Sequence, residues 1–156
     1  MLKSGRSAPE FVLPDENGDD VSLADLLADG PLILYFYPAD FTPGCTKEAC
    51  SIRDIHDDIQ SVGLTVVGVS PQDAGSHQKF RDKHTLPFKL LCDPDKVVIK
   101  AYDVDGPLGI GVRRVTYLIN QDGTIADAVQ ADLMIGRHKE FIDNAIEVQR
   151  AARQSR

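Results

Sequence analysis

The 156-residue chain contains no tryptophan, only three cysteines and no long apolar run. Three cysteines are too few for a disulfide scaffold, and a chain of this length buries roughly 70% of the surface that its unfolded form exposes, so it can fold without such cross-links. The longest apolar run, residues 32–37, is far too short to cross a bilayer. The first nine residues lack the apolar stretch of a secretory signal. We therefore expect a cytosolic protein that does not enter a membrane.

Basic residues are also scarce, because 17 lysines and arginines stand against 24 acidic residues and give a formal net charge of −7. Such a field repels phosphate backbones and anionic lipids, so neither nucleic acid nor a membrane surface is expected as a partner. The apolar and charged fractions, 42% and 26%, are typical of a globular protein. Because there is no internal repeat and no flexible linker, we expect residues 1–156 to form a single domain.

Hydrophobic periodicity predicts a strand–helix–strand unit in the first half of the chain. Ser22 is a suitable cap for a short helix over residues 22–28. Residues 32–37 and 64–69 are predicted to be buried strands, and the helical spacing of apolar residues between them predicts one long helix that ends at Gly63. Two strands joined in this way are parallel and have a right-handed connection.

The second half of the chain is predicted to complete the same sheet. The elements expected there are helix 76–83, strand 88–92, helix 95–102, strands 112–120 and 124–129, and a terminal helix that includes residues 141–148. The last two strands are joined through Gln121, Asp122 and Gly123, which is typical of a hairpin. This order predicts an α/β fold in which a central mixed β-sheet is flanked by helices, as in a thioredoxin-like layer with elements inserted in the middle.

The segment between strand 32–37 and the long helix carries two of the three cysteines. Thr42 suits the N-cap and Pro43 the first helical position, which places Cys45 in the first turn. Free amides and the positive end of the helix dipole favour a thiolate there, and the thiolate is the nucleophilic form. The carboxyl end of a strand is also where open α/β sheets place active sites. Cys45 is therefore a candidate reactive cysteine, and the alternative is a buried structural cysteine.

Cys50 follows Cys45 by five residues on the same predicted helix. Regular helix geometry separates their Cα atoms by roughly 7.5 Å along the axis and rotates them about 140° apart, whereas a disulfide tolerates at most about 7 Å between Cα atoms. A bond between the two sulfurs would therefore require the first turns of the helix to unwind. The alternative is that Cys50 is a core residue. Cys92, after two leucines at a strand end, is expected to be packed and redox-silent.

The residues around Cys45 resemble those of the peroxiredoxins. The family pattern Pro-x-x-x-Thr-x-x-Cys is met by Pro38, Thr42 and Cys45, and residues 37–50 are similar to the bacterioferritin-comigratory, or peroxiredoxin Q, subgroup. The family arginine that precedes a Thr-aromatic strand is matched by Arg114 rather than by its neighbour. The resemblance extends over nearly the whole chain and implies a thioredoxin-like fold with peroxiredoxin-type insertions.

The resemblance implies that Cys45 is the peroxidatic cysteine, which attacks a hydroperoxide and becomes a sulfenic acid. Splitting a peroxide develops negative charge on the leaving oxygen, so the site needs fixed donors aimed at both oxygens. The expected donors are the Thr42 hydroxyl, the amides of Gly44 and Cys45, and the guanidinium of Arg114. The arginine would also favour the thiolate by its charge.

The resemblance assigns roles to four further residues. Pro38 is expected to shield the Cys45 sulfur from water and so limit overoxidation. Pro43 and Glu48 are expected at the substrate site together with the Gly44 amide, and Glu48 is expected to orient the arginine. Cys50 resembles the resolving cysteine of many members of the subgroup, which condenses with the sulfenic acid to an intrachain disulfide.

The implied activity is a thiol-dependent reduction of hydrogen peroxide and organic hydroperoxides, recycled by thioredoxin or a similar dithiol. No bound cofactor is expected, and the histidines and cysteines lack the spacing of a metal site. A resolving cysteine in the same chain needs no second subunit, so a monomer is expected. Two alternatives stay open: a one-cysteine peroxidase resolved by an external thiol, and a redox sensor or adaptor. A thiol-disulfide oxidoreductase is disfavoured because four residues, not two, separate Cys45 from Cys50.

Overall fold

The computed structural model describes residues 1–155. In chain order the elements are β1 (Val12–Pro14), β2 (Asp20–Ser22), α1 (Leu23–Leu27), β3 (Leu32–Phe36), α2 (Pro43–Asp54), α3 (His56–Ser61), β4 (Thr65–Ser70), α4 (Ala74–His84), β5 (Lys89–Cys92), α5 (Val97–Ala101), β6 (Val115–Ile119), β7 (Ile125–Gln130) and α6 (Gly136–Gln154). A 3₁₀ turn, Pro107–Gly109, precedes β6. Over residues 1–155, no helix combines the length and apolarity needed to cross a bilayer.

The central sheet is mixed and has the strand order β5-β4-β3-β6-β7. Strand β3 pairs parallel with β4 and antiparallel with β6, while β4 pairs parallel with β5. All five residues of β3 are buried, which explains its continuous apolar sequence, since a central strand covered on both faces has no polar side. The prediction of a central mixed sheet flanked by helices is therefore confirmed.

Apolar cores lie on both faces of the sheet and hold α2 in place. Successive residues of a strand point to opposite faces, so Leu34 joins one core and Tyr35 the other. The core on the Tyr35 face also contains Ala49 and Ile52 of α2 and Ile142 of α6. Helix α2 is thus packed on the sheet through its middle, with its N-terminus at the carboxyl end of β3.

The prediction of one long helix ending at Gly63 is wrong, because the chain breaks into α2 and α3 at Ile55. Ile55 has φ −111° and ψ 12°, and its amide donates to the carbonyl of Ile52 at 3.2 Å, which is the tighter three-residue spacing. Ile52 and Ile59 are both fully buried in the same core. The apolar periodicity therefore continues across the break, and periodicity alone could not reveal it.

A short hairpin, β1–β2, is present where the sequence predicted no strands. Each strand has three residues, which is too short to show an alternating pattern. The turn between them is held by the carboxylate of Asp15, which accepts the amides of Asn17 and Asp19 at 2.8 and 3.0 Å. The other predicted helices and strands are present, with ends shifted by up to three residues.

Candidate active site

Cys45 lies in the first turn of α2, directly after the turn that leaves β3. Thr42 is the N-cap and Pro43 is the first helical residue, as predicted. The first i to i−4 bond of the helix runs from the Thr46 amide to the Thr42 carbonyl at 2.9 Å, so the amides of Gly44 and Cys45 precede the regular bonding pattern. The Cys45 side chain is buried, with 1% exposure.

Arg114 reaches Cys45 because β6 pairs with β3. The two strands are antiparallel with Val115 opposite Phe36, so Arg114 stands beside the carboxyl end of β3, from which α2 departs. Its Nη1 donates to the Cys45 sulfur at 3.2 Å. The backbone amide of Arg114 donates to the carboxylate of Asp132 at 2.7 Å. The sequence did not predict this contact, because Asp132 follows β7 and belongs to no recognisable motif.

Glu48 lies one helical turn after Cys45 and shares the same arginine. Arg114 Nη1 donates to Glu48 Oε1 at 3.0 Å. Burial raises the pKa of Glu48 to about 7, although the attraction of Arg114 opposes the shift. Burial lowers the pKa of Arg114, but the negative charges of Glu48 and Cys45 outweigh that effect and the pKa is raised overall. The guanidinium is therefore a permanent cation between two groups that can each be anionic.

His138 is a buried residue behind Glu48 to which the sequence gave no role. Its Nε2 lies 2.9 Å from the carbonyl oxygen of Ala131, which can only accept, so Nε2 carries a hydrogen. Its Nδ1 lies 2.8 Å from the Thr116 hydroxyl and 3.4 Å from Glu48 Oε2. Burial lowers the pKa of His138, which favours the neutral ring with Nδ1 accepting from Thr116. Since His138 is 93 residues from Cys45, no local pattern could have indicated it.

The turn of residues 38–42 forms the other side of the candidate site. The Thr42 hydroxyl donates its hydrogen to the carbonyl of Ala39 at 3.1 Å. In this arrangement the hydroxyl oxygen can accept a hydrogen bond, whereas the expected donation to a peroxide oxygen would require the hydroxyl to rotate. Pro38 is half-buried at the end of β3, whereas Pro43 is exposed. The roles of Pro38, Thr42 and Pro43 toward a peroxide stay predictions.

Gly44 allows the arginine to approach the helix N-terminus. A Cβ at this position would lie 3.1 Å from Arg114 Nη2 and 3.5 Å from Ile135 Cδ1. Contacts of 3.1 Å are tighter than most Cβ contacts, so a side chain here would displace the guanidinium. Glycine is therefore needed at position 44 because the Arg114 guanidinium lies so close to the backbone, and not because the backbone has an unusual conformation.

All three cysteines are unbonded thiols. Cys50 is partly exposed on α2, and the helix is continuous from Pro43 to Asp54, so it holds the two sulfurs apart as the sequence geometry predicted. Cys92 is buried at the end of β5, and burial raises the pKa of its thiol to about 11. Among residues 1–155, no group of three or more histidine, cysteine, aspartate or glutamate side chains is placed to hold a metal ion.

A buried cysteine at a helix N-terminus with an arginine against its sulfur is an arrangement typical of proteins that use a cysteine as a nucleophile. Comparison with known proteins identifies the family. The AhpC/TSA family profile matches residues 4–128. Peroxiredoxin Bcp of Bacillus subtilis is 38% identical over 130 residues, which are 80% of this chain and 82% of that protein. The chain belongs to the AhpC/TSA family, and its relatives are Bcp and peroxiredoxin Q proteins.

Solved structures agree with this assignment. Peroxidoxin BcpB of Mycobacterium tuberculosis superposes with a TM-score of 0.87 at 35% identity, covering 97% of this chain and 98% of that one. The bacterioferritin comigratory protein of Xanthomonas campestris gives a TM-score of 0.81 at 27% identity, covering 88% and 90%. The predicted thioredoxin-like peroxiredoxin fold is confirmed, and the protein is a peroxidase that takes a peroxide substrate and a thiol reductant.

Proposed function

We propose that this protein reduces hydrogen peroxide and organic hydroperoxides through the thiolate of Cys45. The observation that carries the proposal is the 3.2 Å contact between Arg114 Nη1 and the Cys45 sulfur. A fixed cation at this distance favours the thiolate over the thiol, and the position of Cys45 in the first turn of α2 adds the positive end of a helix dipole. The alkyl peroxide reduction activity described for the Xanthomonas campestris relative supports the organic substrates.

The chemical step is a displacement at the terminal peroxide oxygen. The thiolate forms a sulfur–oxygen bond, the oxygen–oxygen bond breaks, and the leaving oxygen takes up a proton to become water or an alcohol. Sulfur loses two electrons to the peroxide and becomes a sulfenic acid. Arg114 and the amides of Gly44 and Cys45 are the donors for the charge that develops on the oxygens, and Pro38 and Thr42 close the opposite side.

We propose that Cys50 resolves the sulfenic acid. Its thiol attacks the Cys45 sulfur, an intrachain disulfide forms, and water leaves. Both residues lie on one continuous helix, so the first turns of α2 must unwind before the sulfurs can meet. The exposure of Pro43 and Lys47 in these turns and the partial exposure of Cys50 support such an opening.

Thioredoxin or a similar dithiol is the proposed reductant of this disulfide. Dithiol exchange requires an accessible sulfur, and Cys50 is more exposed than either of the other cysteines. A compartment that keeps thiols reduced, such as the cytosol, supplies the reductant. Because both cysteines belong to one chain, the cycle can be completed by a monomer.

The test is to add one equivalent of hydrogen peroxide to fully reduced protein and to measure the intact mass and the cysteine peptides. The proposal predicts a loss of two hydrogens with Cys45 linked to Cys50. In Cys50→Ser it predicts a sulfenic acid on Cys45 that dimedone traps, whereas Cys92→Ser, the matched control, should behave as the wild type. An oxygen gained by Cys45 in the wild type without a disulfide would support the one-cysteine alternative. Absence of any reaction would contradict the peroxidase assignment.

A further inference from the structure

A second cluster of buried polar side chains lies behind the turn of residues 38–42. We call it the Asp40 cluster, and it consists of Tyr37, Asp40, Ser76 and His77. Asp40 Oδ1 accepts the Tyr37 hydroxyl at 2.7 Å, and Oδ2 accepts the Ser76 hydroxyl at 2.7 Å and faces His77 Nδ1 at 2.7 Å. The side chains of Asp40 and His77 are both fully buried. The carboxylate is therefore fully bonded inside the protein, although it belongs to an active-site turn.

The contacts of His77 join the Asp40 cluster to β5. Its Nε2 lies 2.9 Å from the carbonyl oxygen of Leu91, an acceptor, so Nε2 carries a hydrogen. Its Nδ1 lies 2.7 Å from Asp40 Oδ2, so the ring bridges the carboxylate of the turn and the main chain of β5. Burial raises the pKa of Asp40, but the hydrogen bond and the charge of His77, together with both hydroxyls, lower it overall. The carboxylate form of Asp40 is therefore favoured by its three side-chain partners.

The backbone next to Asp40 is held in an unfavourable conformation. Phe41 has a φ of +64°, in the left-handed region that residues with a side chain rarely adopt. Its ring packs edge-on against Phe80 of α4 with a centroid distance of 5.2 Å. Such a conformation persists only where surrounding contacts fix it, and the Asp40 cluster and Phe80 are the contacts that fix this one to α4.

These contacts anchor the turn of residues 38–42 independently of α2, the helix that has to unwind for a disulfide to form. Asp40 lies between Pro38 and Thr42, and its partners belong to α4 and, through Leu91, to β5. The unwinding that a disulfide requires begins at Pro43 of α2, beyond the anchored turn. A buried polar cluster can specify one conformation even where desolvation leaves it little net stability to add.

We propose that Asp40 is a positioning residue for peroxide reduction. Its contacts with Tyr37, Ser76 and His77 hold residues 38–42 in the shape in which Pro38 and Thr42 complete the peroxide site beside Cys45. The proposal rests on the proposed function, since it requires Cys45 to react with peroxide. A merely structural role would change the peroxide reaction and the general reactivity of the Cys45 thiol together. The positioning role affects the peroxide reaction alone.

The test compares two reactions of Cys45 in Asp40→Ala. The first is the second-order rate of oxidation by hydrogen peroxide, and the second is the rate of alkylation by chloroacetamide, which needs the thiolate but no peroxide site. The ratio of peroxide rate to alkylation rate should fall roughly 10- to 100-fold, in line with the sensitivity of catalysis to misplacement of groups around the reacting atoms. Asp40→Asn should restore most of the ratio, because its amide group can donate to His77 Nδ1 while its oxygen still accepts from Tyr37.

The matched control is Asp93→Ala, which removes another buried carboxylate. Asp93 accepts the amide of Ile99 at 2.8 Å at the start of α5, so its loss perturbs the fold at a different place and should leave the ratio unchanged. If Asp40→Ala does not fold, His77→Leu takes its place, since it has a similar volume but neither of the ring nitrogens that contact Asp40 and Leu91. That variant should also lower the ratio.

The outcomes distinguish this proposal from the proposed function. An unchanged ratio in Asp40→Ala or His77→Leu, with a reactive wild type, overturns the positioning role alone. An equal fall in Asp93→Ala overturns it as well, because the effect would then be one of general destabilisation. A wild-type Cys45 that does not react with peroxide contradicts the proposed function and this inference together.

Discussion

The Cys45 sulfur and Arg114 Nη1 lie 3.2 Å apart, and the same nitrogen lies 3.0 Å from Glu48 Oε1. One buried cation therefore serves two groups that compete for its charge. Burial raises the pKa of Glu48 to about 7, so part of the carboxyl is protonated near neutrality and its attraction for the arginine is then weaker.

Arg114→Ala should lower the rate of Cys45 oxidation by hydrogen peroxide by about 10²- to 10³-fold, which is the usual effect of losing one donor to a developing oxyanion. Quenched-flow mixing followed by mass analysis of Cys45 measures this rate. The neighbouring Arg113 provides the control, since its Nε donates to the carbonyl of Asp105 at 3.2 Å and not to the sulfur. If Arg113→Ala lowered the oxidation rate as much as Arg114→Ala, the special role of Arg114 would be contradicted.

Gly44→Ala should slow the same reaction while the fold is retained. A Cβ at Gly44 meets Arg114 Nη2 at 3.1 Å, and a shift of the guanidinium by a few tenths of an ångström should cost roughly 10-fold in rate. Alanine is otherwise favourable in a helix. Gly136→Ala in the first turn of α6 is the control, because the added Cβ meets no described heavy atom within 4 Å apart from its chain neighbours and its own helix backbone. A Gly44→Ala rate equal to the wild-type rate contradicts this account of Gly44.

Glu48→Gln should be more stable relative to the wild type at alkaline than at acidic pH. The unfolded chain loses the Glu48 proton near its ordinary pKa of 4.5, whereas the folded protein keeps it up to about 7. Stability of the wild type therefore falls as pH rises through this window, and glutamine, which stays neutral, avoids the loss. The difference between the two proteins should grow by on the order of 3 kcal/mol from about pH 4.5 to pH 8.

Urea unfolding at the two pH values measures this difference. The control is Glu140→Gln, which changes an exposed glutamate on α6 and should show a nearly constant difference across the same range. A Glu48→Gln curve parallel to that of the wild type would show that Glu48 ionises in the folded protein as it does in the unfolded chain.

Cys92 should remain unmodified while the protein is folded. Burial raises the pKa of its thiol to about 11 and leaves 3% of the residue exposed, so thiolate is scarce and access is closed. Iodoacetamide added to the reduced protein near neutral pH should label Cys50 well before Cys92, and urea should remove the difference. Rapid labelling of Cys92 in the folded protein would contradict its assignment as a packed residue.

The sequence predicted the parts of the site that lie on one continuous segment. Thr42, Pro43 and Cys45 carry their own helix-start signals, so the position of the thiol in the first turn followed from local rules. Arg114 was assigned through family resemblance, and the pairing of β6 with β3 explains why it reaches the sulfur. A local sequence pattern cannot predict such a contact, because it depends on the register of two strands that are far apart in the chain.

His138 and the Asp40 cluster, which are held by buried hydrogen bonds, were not identified from the sequence. His138 and the Asp40 cluster are joined to the site by contacts between α6, α4 and the sheet. A histidine on a helix looks the same in a sequence whether its ring faces solvent or a buried carboxylate. The break at Ile55 was missed for a related reason, since apolar spacing continued across it.

The central claim is that Cys45 alone carries the peroxide reaction, and a single-thiol variant tests it most directly. The variant Cys50→Ser with Cys92→Ser keeps only Cys45, and it is mixed with one equivalent of hydrogen peroxide in the presence of dimedone. The account predicts that one peroxide is consumed per chain and that Cys45 carries the dimedone adduct, while Cys45→Ser, which keeps the other two thiols, consumes none. Unconsumed peroxide with unmodified Cys45, or consumption by Cys45→Ser, would contradict the account.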